Sequence, residues 1–247
     1  MESILQKSPT QAAHHRGPSL VAVAVVYVVL FVASLAIPTA MASGQHFPSP
    51  LGPAEASARY CEEHASAVEV AAFLQFGSAI PLGIFAASVT SRVQFLGMKV
   101  AGIQIALFGG TASSLLLATS ALVQWVLSQG LLVDAPGVTR ALHLLAFATG
   151  GPGYVVPFGL LVAGISVAAG LQGFAPRWLM LFGLGIAAVA ELATLVLVLP
   201  AAAILLPIAR FSGFVWMICA GVLLPKARGA ASGRGAAPGL LRDALQP

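Results

Sequence analysis

The 247-residue chain is 58% hydrophobic and only 8% charged, and its 12 Lys and Arg against 8 Asp and Glu give a formal net charge of +4. A soluble domain carries about 25% charged residues, so no water-soluble fold could cover this chain with polar surface. The composition predicts an all-α, polytopic membrane helix bundle with the lipid bilayer as its first partner. The net charge is then no argument for nucleic acid but a question of which side of a bilayer the positive residues occupy.

Taken in order, six runs approach the roughly 20 apolar residues that a spanning helix needs. They cover residues 20–40, 65–89, 100–127, 141–169, 178–199 and 205–224. Residues 1–17 and 226–247 read as disordered tails, the second of them basic and rich in Gly and Ala, and 18–225 as the membrane domain. With both termini cytoplasmic, the inner segments carry Lys7, Arg16, Arg92, Lys99, Arg177, Lys226, Arg228, Arg234 and Arg242. The outer ones carry only Arg59, Arg140 and Arg210. Nine against three is the bias of the positive-inside rule. Lys7 and Arg16 before the first run, with Ala40-Met41-Ala42 after it, also have the form of a secretory signal. The run is longer than the usual 7–15 residues of such a signal, so an uncleaved first helix is expected; cleavage would leave five.

Residues 43–64, with Pro48, Pro50 and Pro53, read as an external loop. Cys61 and Cys219 lie at different depths and are not expected to pair. The segment Cys61-Glu62-Glu63-His64 has no second half to complete a metal site, so no metal and no cofactor is expected. Within the second and fourth runs, Gly77–Ser88 and Gly153–Gly164 share Gly-x3-Pro-x-Gly, either a parallel repeat of helical hairpins or a coincidence of small residues.

The fourth run holds the most unusual stretch. Gly150, Gly151, Pro152 and Gly153, followed by Pro157, would break most helices. A loop there would leave two halves too short to span and would disturb the charge parity of every later loop. One interrupted spanning helix is therefore expected. It is either kinked and packed or broken around a cavity, because freed backbone groups survive in lipid only where protein or water satisfies them.

Charges inside spans mark functional sites by default, since each costs about 2.5–3.5 kcal/mol at a helix centre on insertion scales. Glu69 and Glu191 fall inside runs, roughly 8 Å and 13 Å below the outer edge at a rise of ~1.5 Å per residue. His143 and Arg210 lie in the first turns of inward-running helices, with Arg140 one turn before His143. The four residues Glu69, His143, Glu191 and Arg210 are the candidate ligand or ion pathway, an outward-facing polar site. Gly183, Ala187 and Glu191 recur at i+4, which aims the Glu191 carboxylate into a helix interface, towards Arg210 or His143; a purely structural ion pair is the alternative. Ala106, Gly110, Ser114 and Ala118 form a second small-residue face for close packing. Gln75, Gln104 and Gln124 cross-link helices or line a polar path. No catalytic motif is present: there is no His-Glu-x-x-His, no Gly-x-Ser-x-Gly and no phosphate-binding Gly-rich loop.

The runs HLLAFATGGPGYVVPFGLLVAG, APRWLMLFGLGIAAVAELATL and ARFSGFVWMICAGVLLP, with Pro176-Arg177-Trp178-Leu179 entering the fifth helix, resemble six-helix bacterial inner-membrane proteins catalogued only as domains of unknown function. The resemblance covers roughly residues 18–225. It implies the six-helix fold and a bacterial cytoplasmic membrane, and no activity. The sequence thus points to a small transport or permeation protein. The other reading is a non-catalytic membrane subunit or scaffold that meets a second copy or a partner subunit through its small-residue faces.

Overall fold

The computed structural model describes residues 14–130 and 135–227. Most of both expected disordered tails falls outside this range. Among the described residues six helices are long and apolar enough to cross a membrane, and the chain is a multi-pass membrane protein. The helices are α1 (Leu20–Met41), α2 (Ala54–Glu63), α3 (Ala65–Phe95), α4 (Ala101–Leu127), α5 (Pro136–Gly150), α6 (Pro152–Leu171), α7 (Arg177–Leu192) and α8 (Leu205–Leu223). The fourth span is α5 and α6 together, Pro136–Leu171. Short 3-10 segments, Ala193–Leu197 and Pro200–Ile204, finish the fifth span and start the sixth.

The spans are apolar nearly all round, as lipid-immersed helices are. Phe73, Phe108, Leu115 and Val222 lie exposed on the outside of the bundle. Packing between helices therefore rests on close approach of small residues rather than on a hydrophobic difference. α4 and α6 touch backbone to backbone. A Cβ on Gly164 would lie 2.3 Å from the Gly102 carbonyl oxygen, and one on Gly109 would lie 2.4 Å from that of Pro157. On the other side of α4, a Cβ on Gly110 would meet Ala86 of α3 at 2.3 Å, and Ser114 donates to the Ala79 carbonyl at 2.7 Å. The small-residue face read from the sequence thus lies against α3 and α6, with α4 between them. α1 packs against α3 and α8 on the periphery.

One element was not expected. The external loop contains α2, whose buried residues Ser57, Tyr60 and Cys61 fall on one face while Glu55, Glu62 and Glu63 are exposed. That is the i, i+3, i+4 stripe of an amphipathic helix. It packs on α5, over one end of the bundle. At the opposite end the chain's two flanks meet: His15 N–H donates to the Lys226 carbonyl at 2.9 Å, and His14 and Ala227 form a single antiparallel bridge.

Candidate functional site

The fourth span breaks where Gly150-Gly151-Pro152 predicts. α5 ends at Gly150, α6 begins at Pro152, and Gly151 between them has φ −93° and ψ −105°, off the helical basin. Glycine is required for space as well: a Cβ on Gly150 would lie 2.3 Å from Ser120 Oγ. In an unbroken helix the Gly150 carbonyl would accept from the amide of residue 154. Here it accepts from Arg210 Nη2 at 2.6 Å. Ser120 Oγ donates to the Ala146 carbonyl at 2.8 Å, one turn earlier. Arg210 thus replaces the donor that the Gly150 carbonyl loses at the break, as a non-helical stretch at membrane depth demands, and Ser120 adds a bond from α4 to the last turn of α5.

A cavity of about 840 Å³ opens beside the break. Gly150 and Gly151 form part of its wall, with Arg210 and Phe211 of α8, Gln75 of α3, and Ser120 and Gln124 of α4. Phe47, Tyr60 and His143 bound it towards α2. Gln124 Nε2 donates to Gln75 Oε1 at 3.0 Å, and Gln75 Nε2 donates to Ser120 Oγ at 3.2 Å. These two amides therefore both cross-link helices and line a polar wall, whereas Gln104 is exposed elsewhere. His143 is 5% exposed. Its Nδ1 lies 2.9 Å from Ser57 Oγ of α2, and Phe47 packs edge-on to its ring with centroids 4.5 Å apart.

Arg210 sits over two aromatic faces, with its guanidinium carbon 5.0 Å from the Phe31 centroid and 5.2 Å from that of Tyr154. Such cation–π contacts contribute about 0.5–2 kcal/mol, more as the site is drier. Its Nε is buried without a hydrogen-bond partner. Below it an aromatic layer closes the cavity. The Tyr27 and Tyr154 hydroxyls hydrogen-bond to each other, and Phe214 packs edge-on to Tyr27 and Phe31 at 5.2 Å and 5.3 Å. Tyr154 stacks on Phe158 at 5.6 Å.

The structure thus brings His143 and Arg210 to one cavity, with the Gly150–Gly151 break between their helices. Glu69 and Glu191 are exposed and do not line it. The expected Glu191–Arg210 pair does not form, and the reason is rotational. An i+4 series drifts about 40° per step at 3.6 residues per turn, so Glu191 is swung roughly 80° from Gly183. Ala190, seven residues on, stays in register and is buried against α6, where a Cβ on Gly159 would meet it at 2.7 Å. Glu69 likewise turns outward beside the buried Ala67 and Val68. Pro157 lies inside α6 and, like Gly153, is not part of the bend itself.

The sequence reading passed over Phe31, Ser57, Tyr60 and Tyr154. A signal for two of the site's residues was present. Tyrosine in an apolar run needs a partner for its hydroxyl, and the chain has three tyrosines. Tyr27 and Tyr154 bond to each other beneath Arg210, and Tyr60 lines the cavity. No group of three His, Cys, Asp or Glu among the described residues is placed to hold a metal ion. The fold and site define a six-span membrane protein with an arginine-bearing cavity at a broken helix. Compared with protein-family models, curated proteins and solved structures, the chain matches none.

Proposed function

We propose that this chain is a small transport or permeation protein, with its α2 end outward, and that the Arg210 cavity is its binding site for an organic anion. Arg210 carries the reading. It is a fixed cation inside a spanning segment, held by one carbonyl and two ring faces, with no carboxylate in salt-bridge reach among the described residues. A charge at this depth costs several kcal/mol unless something compensates it, and an anionic ligand in the cavity is the compensation that the protein itself withholds. Two features support passage rather than binding alone. Broken helices at mid-membrane recur at transporter sites, and the aromatic layer of Tyr27, Phe31, Tyr154 and Phe214 packs beneath Arg210 beside the cavity. The outward orientation rests on charge. Arg16, Arg92, Lys99, Arg177 and Lys226 lie towards the terminal end, against Arg59, Arg140 and Arg210 towards α2. The proposal takes the membrane to be a bacterial cytoplasmic one, as the resemblance in sequence implies.

The test is uptake of labelled organic anions into proteoliposomes that carry the full chain. Flux above empty liposomes, lost in Arg210→Gln and kept in Glu69→Gln and Glu191→Gln, is the expected result. A folded protein that moves no anion, or an Arg210→Gln variant with undiminished flux, overturns it.

A further inference from the structure

One side of the cavity is apolar and is lined by side chains that also reach the outside of the bundle. α1 and α8 meet at the terminal end, where a Cβ on Gly221 would lie 3.0 Å from the Val21 amide, and again where Phe214 touches Tyr27 and Phe31. Towards α2, facing residues of the two helices both line the cavity: Val32, Leu35 and Thr39 of α1, and Pro207 and Phe211 of α8. Leu35 is 44% exposed and Phe211 45%. Among the described residues α1 packs chiefly on α3 and α8, and no further helix packs against it beside this gap. These apolar side chains border a slot between α1 and α8, whereas the polar lining groups Gln75, Gln124 and His143 come from α3, α4 and α5.

We infer that the ligand of the Arg210 cavity is a single-chain amphiphile with an oxyanion head, which enters sideways from the membrane through the slot between α1 and α8. The inference rests on the anion-binding reading above and names its substrate class. The guanidinium takes the head, since Arg offers planar, paired donors to carboxylate or phosphate. The amides of Gln75 and Gln124 and the imidazole of His143 face the head's remaining oxygens. The chain lies along Phe31, Val32, Leu35 and Phe211 and leaves through the slot. A cavity of about 840 Å³ is in the range of about 300–1,000 Å³ that holds drug-sized ligands. A small hydrophilic anion would leave the apolar half of it empty.

Photo-crosslinking of the full chain in lipid nanodiscs tests this. The probes are a long-chain fatty acid and a lysophosphatidic acid, each with a diazirine near the tail end. Mass spectrometry of the labelled peptides should place adducts on residues 32–39 and 203–211. Unlabelled probe should compete, whereas acetate, inorganic phosphate and the fatty alcohol of equal length should not. The probe that labels at lower concentration tells a carboxylate head from a phosphate one. Arg210→Gln should weaken competition by at least about tenfold, or ~1.4 kcal/mol. Arg210→Lys, which keeps the charge and loses the planar fork, should weaken it less. Leu35→Trp, which narrows the slot and leaves Arg210 in place, should remove the tail adducts without lowering the melting temperature. Adducts spread evenly over all lipid-facing helices, insensitive to Arg210→Gln, overturn the inference, and so does equal competition by the fatty alcohol. Specific labelling without flux would sink transport and leave the amphiphile site standing. Flux of small anions without specific labelling would do the reverse.

Discussion

Arg210 donates to the carbonyl oxygen of Gly150 across 60 residues of sequence, from the sixth span to the break in the fourth. One side chain thereby meets two needs. It satisfies a backbone acceptor set free at the break, and it is held at the cavity wall with Nη1 left without a protein partner among the described residues. Binding and backbone integrity are coupled at this contact. Arg210→Met should cost about 1.5–3 kcal/mol, the range for a hydrogen bond to a charged group. Detergent-solubilised protein should show this as a lowered melting temperature. Lysine, whose ammonium can still reach a carbonyl, should restore part of the loss.

Gly150→Ala should destabilise by about 1–3 kcal/mol, the usual cost of overpacking, because the new methyl would sit 2.3 Å from Ser120 Oγ. Ser120→Gly opens the space and should recover part of that loss in the double variant, although alone it removes the bond to the Ala146 carbonyl. A cycle of melting curves over the four proteins measures the coupling.

The Tyr27–Tyr154 hydrogen bond in the aromatic layer makes a non-additive pair. Tyr27→Phe or Tyr154→Phe alone leaves one buried hydroxyl unsatisfied and should cost about 1–3 kcal/mol. The double Phe variant removes both hydroxyls and should be no less stable than either single one. If the two losses add, the bond is not what holds the layer.

Cys61 is 7% exposed on the buried face of α2, and burial pushes its thiol up to about 11. The thiolate is the nucleophile, so alkylation by iodoacetamide at pH 8 should be slow compared with a free thiol. The rate should climb as the pH approaches 11. Denaturant should abolish the difference. Fast labelling of the folded protein at pH 8 would place α2 away from the bundle.

The terminal end should respond to acid. His15 contacts Ser91 Oγ at 3.1 Å, and burial, then the nearby Arg92 charge, lowers its pKa from 6.5. The folded value lies below the unfolded one, so the docked segment binds fewer protons than the free one. The contribution of this contact is complete above pH 6.5 and is lost as pH falls through the lowered folded value. A spin label on Arg16→Cys should gain mobility on acidification, and His15→Phe should flatten that dependence.

Much of the fold was legible because membrane helices are encoded by run length and charge placement, both one-dimensional quantities. The broken helix was legible for the same reason: Gly150-Gly151-Pro152 is a local instruction. The site was half legible. Depth along a span follows from counting, and it placed His143 and Arg210 correctly at the α2 end. Direction around a span does not follow from depth, and Glu191 shows how far a few i+4 steps drift. α2 escaped notice because its stripe of Ser57, Tyr60 and Cys61 is short and lies among prolines. The Arg210–Gly150 contact joins positions whose neighbourhood exists only after the bundle has assembled.

The two halves of the fourth span are anchored very differently. α6 is clamped to α4 through Gly102, Gly109 and Gly164, backbone against backbone. α5 is tied by side chains alone at the positions that matter here: Ser120 to Ala146, Arg210 to Gly150, and Ser57 of α2 to His143. Gly151 is then a hinge between a fixed post and a lever. Rotation about it costs a few exchangeable hydrogen bonds on the α5 side and would cost close-packed surface on the α6 side. A swing of α5, with α2 riding on it, would change access at the α2 end of the cavity, while α4 and α6 hold the frame.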